Sequence, residues 1–166
     1  MTYCSSDRHI GGNIYIAASV LYSKNSLHRN RALNILTIIN RSEEEFRKLL
    51  NYSPDVKYRV APIKGRINGR YKHVPKIVEI DSNLNWDKAL EVLAHELVHA
   101  EQYHTGKLRQ IWDNRKGWTH YWNGDFNGNR GSTYNAYRNQ PWELEAWGRQ
   151  AELAETVCQA LEKKYA

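Results

Sequence analysis

The helix that decides the fold has the sequence WDKALEVLAHELVHAEQYH and occupies residues 86–104. Its apolar side chains recur with helical periodicity, at about 100° per residue. Several of them cluster on the side opposite His95: Trp86, Leu90, Leu93, Leu97 and Ala100. We therefore predict a helix from about residue 86 to residue 104 that packs its apolar back in the core, with His95 and His99 facing a cleft or solvent.

Residues 95–99 of this helix read HELVH, which is an HExxH motif. Residues four apart lie above one another on a helix, so both imidazoles can reach one ion. Glu96 is rotated to the side, where its carboxylate can accept a proton from a metal-bound water. Two exposed histidines that bracket a glutamate by chance would give the same letters, but the helical context favours a metal site. We predict His95 and His99 as ligands and Glu96 as the general base.

The third ligand has several candidates, since a catalytic zinc ion usually takes three protein ligands and leaves one position to water. His104 would lie on the opposite face of the helix. His120 follows in an aromatic segment, where it could equally be an ordinary hairpin histidine. On a C-terminal helix, Glu143 lies at the head of the apolar stripe, whereas Glu145 falls about 200° away and is predicted to face water. A buried carboxylate needs a metal or an ion pair, so Glu143 is predicted to bind metal or an arginine.

Composition places the chain among ordinary globular proteins. Of its 166 residues, 41% are hydrophobic and 25% are charged. No apolar run approaches the roughly 20 residues that cross a membrane, and two cysteines do not form a disulfide framework. We therefore expect a cytoplasmic protein with no membrane partner.

The net charge of +6 arises in residues 57–76, which contain seven basic residues and no acidic one. Asn-Gly at positions 68–69 is a strong turn signal, so we predict a hairpin that pairs residues 56–67 with residues 70–80 and sets Pro62 opposite Pro75. Such charges protect an edge strand from aggregation. They also fit an anionic partner such as nucleic acid, which would be met by Lys64, Arg66, Arg70 and Lys72.

The other predicted elements are a short strand around residues 14–16, a helix over 31–40 and a second helix that starts at a capping box formed by Ser42 and Glu45. A tight hairpin is predicted over residues 119–126, and a final helix from about Pro141. We expect residues 1–55 to hold a strand and helices of unassigned role, and residues 56–166 to form the functional domain, both within one compact unit.

The segments HELVHAEQ at 95–102, YWNG at 121–124 and PWELEA at 141–146 together resemble the gluzincin-type zinc metallopeptidases. The nearest form is the small minigluzincin-like metallopeptidases of bacteriophages and bacteria, and the resemblance covers about residues 74–155. It implies an α+β, zincin-like fold in which a small β-sheet with hairpins packs on the HExxH helix and a C-terminal helix bears a ligand. It also implies peptide hydrolysis with Zn²⁺ bound by His95, His99 and Glu143.

One departure from the family concerns the residue that orients a zinc-bound histidine. Many gluzincins have an aspartate four residues after the ligand glutamate, where this chain has Trp147. Gln102, Glu91 or a backbone carbonyl could replace it, or the site could be degraded. A weaker resemblance is to SprT-like proteases, which carry HExxH with a later histidine and some of which act on DNA-bound proteins. It would use His120 as a ligand together with the basic hairpin at residues 57–76.

An enzyme would need a group that stabilises the oxyanion, and the candidates are Tyr134, Tyr137 and His120. The strand that ends near Ile80 could pair with an extended peptide or protein substrate. Two other functions stay open at this point. One is a catalytically silent zinc protein of structural role, such as a virion or assembly component. The other is the DNA-associated protease, and a phage-encoded protein would act in the host cytoplasm or the virion.

Overall fold

The computed structural model describes residues 7–128 and 133–166, which form an α+β fold with two small sheets. The elements in chain order are β1 (Asp7–Gly11), β2 (Ile14–Ala17), α1 (Ala18–Leu21), α2 (Ser26–Leu49), β3 (Lys57–Ala61), β4 (Gly69–Lys72), β5 (Ile77–Asp81), α3 (Trp86–His104), β6 (Leu108–Asp113), β7 (Gly117–Trp122), β8 (Asp125–Gly128), α4 (Tyr134–Arg138) and α5 (Pro141–Tyr165). No described helix combines the length and apolar character needed to span a membrane.

The main sheet has the strand order β1-β2-β3-β5-β4. β3 runs parallel to both β2 and β5, whereas β1 and β4 pair antiparallel with their neighbours. Alternate side chains of the central strands, such as Tyr58, Val60, Val78 and Ile80, are fully buried against helices α2 and α3. Because β4 lies at the edge of this sheet, one of its sides is available to face the functional site.

Helix α3 spans the predicted residues and lies between the main sheet and α5. It begins after Asn85, whose side chain accepts a hydrogen bond from the Lys88 backbone N–H. Leu90, Leu93 and Leu97 are buried as predicted, but Trp86 is partly exposed because it lies in the first turn, at the margin of the core. His95 and His99 do not face solvent, since α5 packs across that side of the helix.

The predicted break between two N-terminal helices is wrong, because α2 is one continuous helix. Ser42 does not cap a new helix: its hydroxyl donates a hydrogen bond to the Ile38 carbonyl within α2. The apolar face stays in phase across the expected break, with Ile38, Ile39 and Phe46 all buried. Continuous burial of that face therefore outweighs the local capping signal.

The predicted hairpin around Asn68-Gly69 is also wrong. β3 and β4 do not pair with each other, and both instead flank β5, so Pro62 and Pro75 are not opposed. The actual turn joins β4 to β5 and contains the cis Val74–Pro75 bond and Lys76 at φ 65°. Residues 77–80 are all buried, and a strand that is buried on both faces takes an interior position with a neighbour on each side. The predicted pairing of a substrate with this strand fails for the same reason, because both of its sides are occupied.

The second sheet is the antiparallel meander β6-β7-β8. Its β7–β8 turn is the predicted one, with Asn123 and Gly124 both at positive φ. α5 begins with Pro141 as predicted, and the short strand predicted around residues 14–16 is β2. This sheet lies in the chain between the two helices that carry the candidate site.

Candidate metal centre

Three buried side chains from two helices converge at one point. His95 and His99 lie on successive turns of α3, and Glu143 lies in the first turn of α5. The Nε2 atoms of the histidines are 3.1 Å apart. The Glu143 carboxylate oxygens lie 3.3 Å from His95 Nε2 and 3.5 Å from His99 Nε2. The structure therefore brings together the three residues that the resemblance implies as ligands.

The donor set and its spacing fit a divalent metal ion such as zinc. Two imidazole nitrogens and one carboxylate oxygen are the ligands of many catalytic zinc sites, in which they lie about 2.0–2.2 Å from the ion. Atoms at that distance in a tetrahedral arrangement are about 3.3 Å from one another, close to the spacing observed here. Buried His95, His99 and Glu143 can therefore hold a metal ion.

Glu143 has the ionisation state that a metal ligand needs. Its side chain is 2% exposed, and burial alone would raise its pKa. The adjacent imidazoles of His95 and His99 outweigh that effect and hold the pKa of Glu143 well below its ordinary value. The carboxylate is therefore ionised, as a metal ligand must be.

Each histidine is oriented by a glutamine amide. His95 donates a hydrogen bond from Nδ1 to Gln150 Oε1 over 2.9 Å, and His99 donates in the same way to Gln102 Oε1 over 2.9 Å. Both bonds favour the tautomer whose Nε2 lone pair points at the shared centre. Trp147 stands at the position that is aspartate in many gluzincins. Its ring meets the His95 ring edge to face, with 4.9 Å between the ring centroids.

Of the three predicted replacements for that aspartate, Gln102 is an orienting residue, whereas Glu91 pairs with Lys88 instead. Gln150 was missed by the sequence reasoning. The sequence does contain a signal for it. Gln150 follows Glu143 by seven residues, or about two helical turns, so both side chains lie on the same face of the helix.

Glu145 does not face water, contrary to the prediction. Its side chain is half-buried and lies 2.6 Å from Lys107 Nζ, and it accepts a hydrogen bond from Gln102 Nε2 over 2.9 Å. Lys107 follows the end of α3 and reaches across to α5, which the periodicity of α5 alone could not reveal. Glu145 therefore supports the site through Gln102 and is not part of the ligand cluster.

Glu96 lies beside the cluster and is anchored by the edge strand. Its buried carboxylate accepts a hydrogen bond from the Tyr71 backbone N–H in β4. Burial raises the pKa of Glu96 above its ordinary value, although the nearby His99 and His95 oppose this shift. β4 comes this close because residue 69 is glycine: a Cβ there would collide with Val92 Cγ1 and lie 3.3 Å from Glu96 Cγ.

A cavity of about 970 Å³ opens above Glu96, His99 and Glu143, between β4 and the second sheet. Tyr137 of α4 lines it and donates a hydrogen bond to Glu143. Tyr134 is 66% exposed and lies outside the lining. His120 lines the cavity too, but it stacks on Trp142 with 5.0 Å between ring centroids and is outside the ligand cluster.

The basic residues predicted to meet an anionic partner are divided between two locations. Arg70 and Lys72 bind the buried carboxylate of Glu79. Lys64 and Arg66 are exposed in the loop that joins β3 to β4.

Comparison with family models, curated proteins and solved structures finds no match to this chain. The function must therefore be inferred from the side chains of the site.

Proposed function

We propose that this protein is a zinc-dependent metallopeptidase with a zincin-like fold that hydrolyses peptide bonds with Glu96 as general base. The observation that carries the proposal is the convergence of buried His95, His99 and Glu143 beside a cavity that is lined by His99, Glu143 and a second buried carboxylate, that of Glu96. His95, His99 and Glu143 would hold the metal, which would polarise the scissile carbonyl and lower the pKa of water.

The residues of this chain would then perform the proton transfers. Glu96 takes a proton from the attacking water and passes it to the leaving amine. Its carboxylate is buried and lines the cavity next to the candidate ligands, where it can exchange protons with a water molecule in the cavity. The Tyr71 backbone N–H holds the base in place, which favours this role over that of a mobile surface glutamate.

Tyr137 is the preferred donor to the developing oxyanion, because it lines the cavity and already contacts Glu143. His120 is the second choice, and the exposed position of Tyr134 makes it the weakest of the three candidates. An extended peptide can lie along β4, the strand at the sheet edge that borders the cavity.

The test compares the purified wild-type protein with Glu96→Gln on an unfolded protein substrate, with zinc content measured for both. We expect both proteins to bind zinc, and the variant to lose about 10²–10⁴-fold of the activity. Glu91→Gln is the matched control, because Glu91 lies on the same helix outside the metal centre and forms an ion pair with Lys88.

Equal activity of wild type and Glu96→Gln would contradict the proposal. Zinc binding without any hydrolysis by the wild type would favour the catalytically silent zinc protein. The DNA-associated alternative receives less support, because His120 is outside the cluster and Arg70 and Lys72 already bind Glu79.

A further inference from the structure

The cavity has an aromatic wall on its far side. Side chains alternate along β7, so Trp118 projects from the same face as His120, and both line the cavity. Trp118 is nevertheless 54% exposed. Trp112 lies directly across from it on β6, and the two rings meet edge to face with centroids 5.3 Å apart. Trp112 therefore braces Trp118 while leaving much of the indole open to the cavity.

The opposite wall is also apolar where it is open to solvent. Ile67 and Val74 lie just before and just after β4, and both line the cavity. Both are exposed, Val74 at 74%. Large apolar side chains left in water on the two sides of one cavity are typical of a binding site rather than of chance exposure.

The charged residues of the cavity do not favour a charged ligand group. In the part of the chain that the structure describes, the cationic lining residues are Arg70 and Lys72, which share the single carboxylate of Glu79, with Lys72 Nζ 2.8 Å from Glu79 Oε1. The acidic lining residues, Glu96 and Glu143, belong to the metal centre. An acidic side chain would have to compete with Glu79 for its cations, whereas an apolar side chain loses water from both surfaces on binding.

We propose that Trp118, braced by Trp112, determines substrate specificity by binding a bulky apolar side chain, preferably an aromatic one, of an extended peptide next to the scissile bond. This inference rests on the proposed peptidase function. Aromatic side chains favour edge-to-face and offset contacts with an indole, and tryptophan is one of the residue types enriched among those that contribute most to binding energy.

The test measures peptide binding by the zinc-loaded Glu96→Gln variant with isothermal titration calorimetry. The probes are blocked alanine-based hexapeptides in which one central residue is Phe, Leu, Glu, Lys or Ala. We expect the Phe peptide to bind about tenfold more tightly than the Ala and Glu peptides. In the Glu96→Gln protein, the further substitution Trp118→Ala should remove the preference for Phe and leave binding of the Ala peptide nearly unchanged. Trp118→Phe in place of Trp118→Ala should retain part of the preference.

Phe126→Ala is the matched control. Phe126 is 55% exposed on the same sheet, but it pairs with Tyr121 and so projects from the face opposite Trp118. This variant should keep the full preference for Phe. Circular dichroism and zinc content show whether each variant is folded.

Equal binding of all peptides, binding of none, a preference for Glu or Lys, or a preference that survives Trp118→Ala would each overturn the inference. Cleavage of the same peptides by the protein with Glu96 intact separates it from the proposed function. Selective binding without cleavage would refute the proposed peptidase and support the Trp118 subsite. Cleavage without selectivity would support the peptidase and refute the subsite.

Discussion

At the scale of single residues, the two histidines of the candidate metal centre are oriented by amide side chains. Gln150 and Gln102 each accept one imidazole N–H, and each comes from a different helix. A neutral acceptor fixes the tautomer of a histidine without adding negative charge to the site. Among the described residues, the carboxylates at the candidate centre are therefore Glu143 and Glu96, and the partners of both histidine Nδ1 atoms are neutral.

Replacing Gln150 by Ala should lower zinc affinity about 10–100-fold, because His95 loses the partner that sets its orientation and tautomer. Competition with a chelator of known affinity measures the change. Gln159→Ala is the control, since Gln159 lies on the exposed side of the same helix and contacts Glu155. Unchanged affinity in Gln150→Ala would show that packing against Trp147 suffices to hold His95.

The Glu143 carboxylate should make metal-free protein stability depend on pH. Its pKa is lower in the folded protein than the ordinary value of 4.5, so the ionised group stabilises the fold above that pH. The contribution should decrease as the pH falls below about 4.5. In urea unfolding without metal, Glu143→Gln should be less stable than wild type at pH 7, and the gap should narrow toward pH 3. A gap independent of pH would contradict the assignment.

At the scale of elements, the features that could be predicted from the sequence are those that depend on helical periodicity. The bounds of α3 and the burial of Glu143 follow from positions along one helix. Strand pairing was not predictable in the same way, because the Asn68-Gly69 turn signal is local, whereas the position of β5 between β3 and β4 depends on residues far apart in the chain. Glu145 was misjudged for a similar reason, since its partner Lys107 lies on another element.

The contact between β4 and α3 gives a prediction at this scale. Gly69→Ala should destabilise the protein by about 1–3 kcal/mol, because the added methyl group collides with Val92 and pushes the strand from the helix. Activity should fall further than stability explains, since Tyr71 then releases Glu96. Chemical denaturation and kcat/KM measure the two effects.

Gly148→Ala provides the control for this change. Nothing lies within 4 Å of a Cβ at residue 148, which is in the interior of α5. This substitution should stabilise the protein by about 0.5–1 kcal/mol. A Gly69→Ala protein as stable and active as Gly148→Ala would show that β4 does not position the base.

At the scale of the whole molecule, the candidate metal centre joins residues of two helices that are distant in sequence. α3 and α5 form the most extensive helix contact of the described chain, and the ligands lie within it. Residues 7–55 belong to the same structure, because β2 pairs with β3 and α2 packs on the core. Metal binding should therefore stabilise the fold as a whole.

Removing zinc with a chelator should lower the Tm, and added zinc should restore it. At a free zinc concentration 1,000 times the Kd, the stabilisation is about 4 kcal/mol. Glu143→Ala should lose this response, whereas Glu145→Ala and His120→Ala should keep it. If His120→Ala alone lost the response, the ligand set of the SprT-like alternative would be favoured.

The second sheet lies in the chain between α3 and α5. The segment before it therefore follows one helix of the candidate metal centre, and the segment after it leads to the other. The Lys107–Glu145 ion pair joins the segment between α3 and β6 to α5. Changing only the exposed side chains of the hairpin β6–β7, such as Trp112 and Trp118, would thus alter the aromatic wall of the cavity, whereas buried His120 stacks on Trp142 next to Glu143 and should be kept. Under the proposed function, the helices carry the chemistry and the exposed positions of this hairpin carry the selectivity, which makes those positions the ones to redesign for a new cleavage preference.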